Sequence, residues 1–155
     1  MKSPDISIVV PVFNEAENIR PLYDAVSAAM AETDYSWETV FIDDGSTDGT
    51  YKVLEDLHSE GGCLHIVRLR RNFGQTAAMA AGLDHAHGEV IVMLDGDLQN
   101  DPRDIPLLVG KIIEGYDLVS GWRINRQDGF GRCLFSRVAN SLISLITGVY
   151  LHDYG

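Results

Sequence analysis

The stretch EVIVMLDGDLQNDP, residues 89–102, ends an apolar run in three aspartates within seven positions, Asp95, Asp97 and Asp101. Carboxylates this close repel one another unless they are well solvated or share a cation. Two chemistries are therefore open, a solvated turn or a cation site. Asp95, Asp97 and Gln99 recur at i, i+2 and i+4, so at an extended strand end their side chains are expected to point the same way. Carboxylate and amide oxygens suit a hard divalent ion such as Mg2+ or Mn2+, which keeps coordination positions for water or substrate phosphate.

A second acidic pair, Asp43 and Asp44, precedes GSTDGT. Asp48 suits the N-cap of a following helix. One member of the pair is then left to face a ligand, accepting hydrogen bonds from a nucleobase N–H or a ribose hydroxyl. Replacing Asp44 is expected on that basis to weaken nucleoside binding and leave pyrophosphate binding nearly unchanged. Glu15 closes a third polar cluster, FNE, and has a competing explanation in the dipole of the helix that starts there. The chain contains neither a G-x-x-x-x-G-K-[ST] loop nor a G-x-G-x-x-G fingerprint, so phosphate binding needs another device. A metal held by the D-x-D neutralises a diphosphate and stabilises it as a leaving group.

Charge is unevenly spread. Residues 1–117 hold 8 Lys/Arg against 21 Asp/Glu, whereas residues 118–155 hold Arg123, Arg126, Arg132 and Arg137 against only Asp128 and Asp153. The formal net charge of -11 argues against non-specific binding to nucleic-acid backbones. Four arginines where acids have almost vanished can be a plain solvated face. Guanidinium forks also match phosphate geometry, and an anion site is the favoured reading.

These groups need a scaffold, and the hydrophobic pattern supplies one. Residues 6–13 (ISIVVPVF) read as a buried strand, short and rich in β-branched residues. Asn14 is placed to cap a helix carrying Ile19, Leu22, Val26 and Met30 at helical spacing. The alternation then repeats: a strand over 37–43, a helix over about 48–58, a strand over 65–70, a helix over 75–86, a strand over 89–94, a helix over about 103–114 and a strand at DLVSG, residues 117–121. Alternating strand and helix predicts a parallel sheet with helices on both faces. In open α/β sheets ligands bind at the carboxyl ends of the strands. FNE, DDGSTDGT, RRNFGQ, DGDLQ and GWR all fall at that edge, five clusters where turn chemistry alone accounts for one.

A 155-residue chain with 45% hydrophobic content matches one domain able to bury a core without staples. Cys63 and Cys133 lie far apart, without metal-ligand spacing, which fits a reducing, cytosolic setting. No cleavable leader and no run of membrane-spanning length is read from the sequence. Residues 136–151 read as a helix with a narrow polar stripe and a wide apolar side. Two readings of such a surface stand side by side: it meets a membrane, another protein or a second copy of the chain, or it packs back on the domain's own core.

Taken in order, VVPVFNE, FIDDGSTDGT, RNFGQTAA, DGDLQNDP, EGYDLVSGWR, NRQD and LHDYG resemble the family 2 glycosyltransferases of the dolichol-phosphate mannosyltransferase type and their bacterial undecaprenyl-phosphate sugar transferase relatives. The resemblance covers nearly the whole chain. It implies the α/β GT-A fold, a UDP- or GDP-sugar donor, Mg2+ or Mn2+ as cofactor, inverting transfer and a polyprenyl phosphate acceptor at the cytoplasmic face of a membrane. It implies that Pro11, Phe13, Glu15, Asp44 and Asp95 bind the nucleotide and that Asp95, Asp97 and Gln99 hold the metal. Arg123, Arg132 and Arg137 would grip the acceptor phosphate, with catalysis assigned to Asp97, Arg123 and Arg137. It also implies a division into a nucleotide-binding part, about 1–117, and an acceptor part, about 118–155. Members of the family continue past DYG, so the chain is expected to be a truncated or partial form that binds nucleotide and metal but transfers sugar poorly.

An alcohol acceptor needs a general base within reach. A phosphate acceptor is already anionic and needs arginines to hold it, which the tail offers. The competing readings are a family 2 transferase acting on a sugar hydroxyl and a non-catalytic, receiver-like nucleotide-binding domain. The receiver reading expects its acid pair after the first strand and a late lysine, whereas here the pair follows the second strand and the last lysine is Lys111.

Overall fold

The computed structural model describes residues 3–121. The chain divides into two compact units, Met1–Asp117 and Leu118–Gly155, and all the helices and strands described fall in the first. Arg123, Arg126, Arg132 and Arg137, and the apolar helix expected over 136–151, lie outside the described residues.

The elements run β1 (Ile6–Val12), α1 (Ala16–Ala31), β2 (Trp37–Asp43), α2 (Thr50–Ser59), β3 (Leu64–Arg68), α3 (Gln75–His85), β4 (Val90–Met93), a short 3-10 turn (Pro102–Asp104) and α4 (Ile105–Ile113). The four strands among the described residues form one parallel sheet in the order β3-β2-β1-β4. Alternate residues of β1 serve opposite faces, as a strand's period of two requires. Ile6, Ile8, Val10 and Val12 pack with Ile19, Leu22, Val26 and Met30 of α1, Leu54 and Leu57 of α2, and Ile105 and Val109 of α4. Val9 joins Val40, Ile42 and Ala78 of α3 on the other face. A sheet covered on both sides explains why its strands read as nearly unbroken apolar runs.

The expectations for residues 117–121 and for Asn14 fail. Residues 117–121 carry no strand: DLVSG holds a single β-branched residue between an aspartate and a glycine, both depleted in strands, and such a segment becomes a strand only where a sheet edge pairs with it. Asn14 does not cap α1. Its backbone is left-handed, with φ 57, and its side chain turns away from the helix to the loop after β2.

Strand order decides where a ligand can sit. Successive connections take the chain outward from β1 to β2 and β3, then back past β1 to β4. The carboxyl ends of β1 and β4 therefore flank the point where the winding reverses, where open α/β sheets leave a crevice.

Candidate active site

The loops after β1 and β2 are fastened together by their own polar residues. Asn14 N donates to Ser46 Oγ at 2.9 Å, and Thr47 N donates to Asn14 Oδ1 at 2.8 Å. Glu15 N donates to Thr50 Oγ1 at 2.9 Å and Ala16 N to Asp48 Oδ2 at 3.2 Å. N–H groups at the opening of α1 are thus satisfied from a neighbouring loop. Asp48 also accepts from Thr50 N at 2.9 Å and Thr50 Oγ1 at 2.6 Å. Burial pushes its carboxyl up, and these bonds outweigh that and hold it below the ordinary value. The segment from Ser46 to Thr50 is therefore a structural clasp.

The adjacent acids divide their tasks. Asp43 is fully buried. Its Oδ1 accepts from Ser46 N at 2.9 Å, and its Oδ2 has Arg68 Nε at 3.5 Å, an ion pair without hydrogen-bond contact. Arg68 in turn stacks 4.0 Å from the Tyr51 ring centroid. Asp44 turns to the loop after β3, where Oδ1 accepts from Phe73 N at 2.8 Å and Oδ2 from Gly74 N at 2.9 Å. Gly45 lies directly against that loop, left-handed at φ +72, where a Cβ would stand 2.4 Å from the Arg71 carbonyl carbon. Only glycine fits there.

After β4 the chain does not stay extended. The strand stops at Met93, residues 96–97 turn, and Leu98 adopts φ 61. The expected common direction of Asp95, Asp97 and Gln99 along a strand is therefore corrected: a turn sets their directions, with Asp97 Oδ1 accepting from Gln99 N at 3.0 Å. Asp95 is held separately, Oδ1 accepting from Gln75 Nε2 at 3.0 Å and Oδ2 from Asn100 Nδ2 at 3.3 Å. Asp101 belongs to neither arrangement. It caps the 3-10 turn by accepting from Arg103 N at 3.0 Å. It also pairs with the Arg103 guanidinium, whose hydrogen bonds pull its carboxyl down to about 2.

These loops enclose a cavity of about 410 Å³ lined by Pro11, Phe13, Glu15, Asp44, Asp95 and Asp97, together with Val12, Asn72, Gly74, Gln75, Ala78 and Gly96. Every residue expected at the nucleotide is on this wall. Gln99 is not, and Arg123, Arg132 and Arg137 lie outside the described residues. Sequence alone does not single out Asn72, Gly74 or Gln75, although RRNFGQ marks their loop as one of the clusters at the ligand edge. The loop's Arg70 and Arg71 stack over Phe73, at 5.8 and 4.7 Å from its centroid.

Among the described residues, the lining holds four carboxylates and no lysine, arginine or histidine. Such a lining repels a bare anion and favours one that arrives with a cation. Asp95 and Asp97 offer hard oxygen donors, but among the described residues no group of three His, Cys, Asp or Glu is arranged to hold a metal. That incomplete set fits Mg2+ or Mn2+, which commonly bind through one or two carboxylates and complete their shells with water and substrate phosphate. A second recess, about 570 Å³, runs along the edge strand β3 and is lined by His58, His65, His85 and His87 with Tyr51, Glu55, Ile66 and Val67. Its described lining shares no residue with the first.

The family model described as Glycosyl transferase family 2 matches residues 7–148. Dodecaprenyl-phosphate galacturonate synthase of Rhizobium johnstonii is 51% identical over 158 residues, covering 100% of this chain and 47% of that protein. Undecaprenyl-phosphate 4-deoxy-4-formamido-L-arabinose transferase of Aeromonas hydrophila is 42% identical over 151 residues, covering 97% of this chain and 46% of that protein. The chain thus spans about half the length of these curated relatives. Among solved structures, the mannosyltransferase PcManGT of Pyrobaculum calidifontis, in complex with GDP-Man and Mn2+, superposes with TM-score 0.56 and 30% identity, over 67% of this chain and 30% of its own. Glucosyl-3-phosphoglycerate synthase of Mycobacterium tuberculosis superposes with TM-score 0.69 at 24% identity, over 94% and 51%, a likeness of fold. The architecture is that of GT-A glycosyltransferases, as expected from the sequence.

Proposed function

The chain belongs to glycosyl transferase family 2, and from that premise we propose that it transfers a sugar from a UDP- or GDP-sugar to a polyprenyl phosphate, with inversion at the anomeric carbon and dependence on Mg2+ or Mn2+. The observation that carries the reading is the cavity at the reversal point of the sheet, whose charged residues among those described are all acidic, Glu15, Asp44, Asp95 and Asp97. The names of the polyprenyl-phosphate relatives, and the GDP-Man and Mn2+ in the mannosyltransferase, support it.

In this reading Pro11, Phe13, Glu15 and Asp44 receive the nucleoside, and Asp95 stands by the ribose and diphosphate. Asp95 and Asp97 hold the ion, with Gln99 as a proposed third donor. The bound ion supplies positive charge to the diphosphate and stabilises it as a leaving group. Arg123, with Arg132 or Arg137, holds the acceptor phosphate in line. An acceptor oxygen attacks the anomeric carbon from the face opposite the nucleotide, the bond to the diphosphate oxygen breaks, and the configuration inverts. No proton has to be removed from the nucleophile, so no general base is required.

Such an acceptor places the reaction at a membrane, on its cytoplasmic face where nucleotide sugars are met. Among the described residues no helix is long and apolar enough to cross one. The proposed division of labour, donor site in about 1–117 and acceptor contacts in about 118–155, belongs to the same reading, as does self-association through the apolar segment 136–151.

The test follows label from a panel of UDP- and GDP-sugars, in manganese, into a lipid extract containing undecaprenyl or dodecaprenyl phosphate, with a form of the protein that extends past DYG to the length of its curated relatives. Label in the lipid phase, released by mild acid, is the expected result. Label confined to water-soluble glycan would move the reading to a transferase acting on sugar hydroxyls. A panel from which no nucleotide binds would overturn it.

A further inference from the structure

We infer that Gln75 is a positioning residue for Asp95, and that Asp44 acts on the diphosphate end of the cavity through it by fixing the backbone from which Gln75 reaches. This rests on the reading of the cavity as a nucleotide-diphosphate site.

Asp44 is 3% exposed and lies one residue beyond β2. Both of its oxygens accept backbone N–H groups, from Phe73 and Gly74. The next residue, Gln75, begins α3. One turn further on, Ala78 is fully buried and packs with Val9, Val40 and Ile42. The start of α3 is thereby held on both sides, by a carboxylate before it and by the sheet beneath it. From this fixed point Gln75 Nε2 donates to Asp95 Oδ1 at 3.0 Å, while Asn100 Nδ2 donates to Asp95 Oδ2 at 3.3 Å. Each oxygen of Asp95 has its own amide donor, so rotation of the carboxylate about its Cβ–Cγ bond breaks both bonds.

The choice of donor has a chemical reason. A lysine or arginine in place of Gln75 would put a positive charge against Asp95 and compete with a bound cation. A neutral amide orients the carboxylate without itself adding a positive charge, the role that outer hydrogen bonds play around metal ligands. Asp44 is then more than a contact for the nucleoside. It fixes the geometry of an acid that the sequence places 51 positions away.

The test uses Gln75→Met, which keeps the chain length and removes the donor. Gln75 is exposed, so the core is untouched. Calorimetry would measure the manganese concentration at half-saturation of UDP and GDP binding, alongside metal-free nucleoside binding and the thermal midpoint. We expect the manganese requirement to rise about tenfold, the scale of a lost hydrogen bond to a charged group, with nucleoside affinity and thermal midpoint unchanged. Asp44→Asn should raise the requirement on its own and add less than its single effect when combined with Gln75→Met, because both act through one contact. An unchanged requirement in Gln75→Met, or strictly additive effects, overturns the inference while leaving the site reading intact. A parent protein that binds neither nucleotide in manganese overturns both.

Discussion

A Cβ placed on Gly96 would stand 2.6 Å from Val12 Cγ1 and 3.3 Å from the Pro11 carbonyl oxygen, so the residue between Asp95 and Asp97 is where the β4 turn leans on the end of β1. Val12 is buried and packs in the core cluster beneath the sheet end. Gly96→Ala should cost about 1–3 kcal/mol by overpacking, measured as a lower denaturation midpoint. It should also weaken manganese-dependent nucleotide binding by displacing both carboxylates. Unaltered stability and binding would mean that the turn relaxes freely.

The aspartates of residues 89–102 should separate by function. Asp101 is committed to Arg103 and to its 3-10 turn, so Asp101→Asn should leave manganese-supported UDP or GDP affinity within about twofold, a change under about 0.5 kcal/mol. Titration calorimetry on this variant would reveal a cation role for Asp101 if affinity fell by an order of magnitude.

Asp44 should not behave as a reader of the nucleoside alone. Its two bonds to Phe73 N and Gly74 N mean that Asp44→Ala leaves two N–H groups without an acceptor, at about 1–3 kcal/mol for each group that water does not reach. Amide hydrogen exchange at Phe73 and Gly74 should accelerate by about tenfold or more, the scale of one such loss. Pyrophosphate binding in manganese should weaken along with nucleoside binding, which reverses the expectation drawn from sequence. Slow exchange at both amides in the variant would show that the loop holds itself.

A pH dependence should arise far from the cavity. Glu38 is 5% exposed at the start of β2. Its Oε1 accepts from Ser7 Oγ at 2.5 Å and His87 N at 2.8 Å, with His65 and His87 ring nitrogens at 3.3 and 3.5 Å from the carboxylate. Burial pushes the carboxyl up, but the Ser7 and His87 bonds and the two imidazoles outweigh it and leave it below its ordinary value of 4.5. A depressed folded-state value means stability present above 4.5 and lost as pH falls through the lower, folded value. Urea midpoints measured downward from about pH 6 should fall more steeply below 4.5 in the parent than in Glu38→Gln, and parallel curves would refute the assignment.

Much of the fold is legible in the sequence because its physics is local. The apolar residues of β1 run on without polar alternation, which announces a strand covered on both faces, and the observed Ile6–Val12 and Trp37–Asp43 lie close to the expected spans. The residues expected at the nucleotide share one wall because all of them sit at or just beyond the carboxyl ends of strands in one parallel sheet. What the sequence does not disclose depends on partners distant in the chain. Asn14 has the type and place of a helix cap but serves Thr47. Asp44 has the place of a ligand contact but carries Phe73 and Gly74. Gln75 ends RRNFGQ, a cluster marked as part of the ligand edge, but its own role is not legible there, since it arises from Asp95, twenty positions on.

Whether the acids around this cavity bind a nucleoside diphosphate by sharing a divalent cation with it can be decided by equilibrium binding of UDP and GDP. Calorimetry would be run in manganese and in chelator, with the parent protein and with Asp97→Ala. One of the two nucleotides should bind in manganese, its affinity should fall by about tenfold or more in chelator, and Asp97→Ala in manganese should resemble the parent in chelator. Equal affinity with and without the cation, or an Asp97→Ala protein that binds like the parent, would contradict cation sharing.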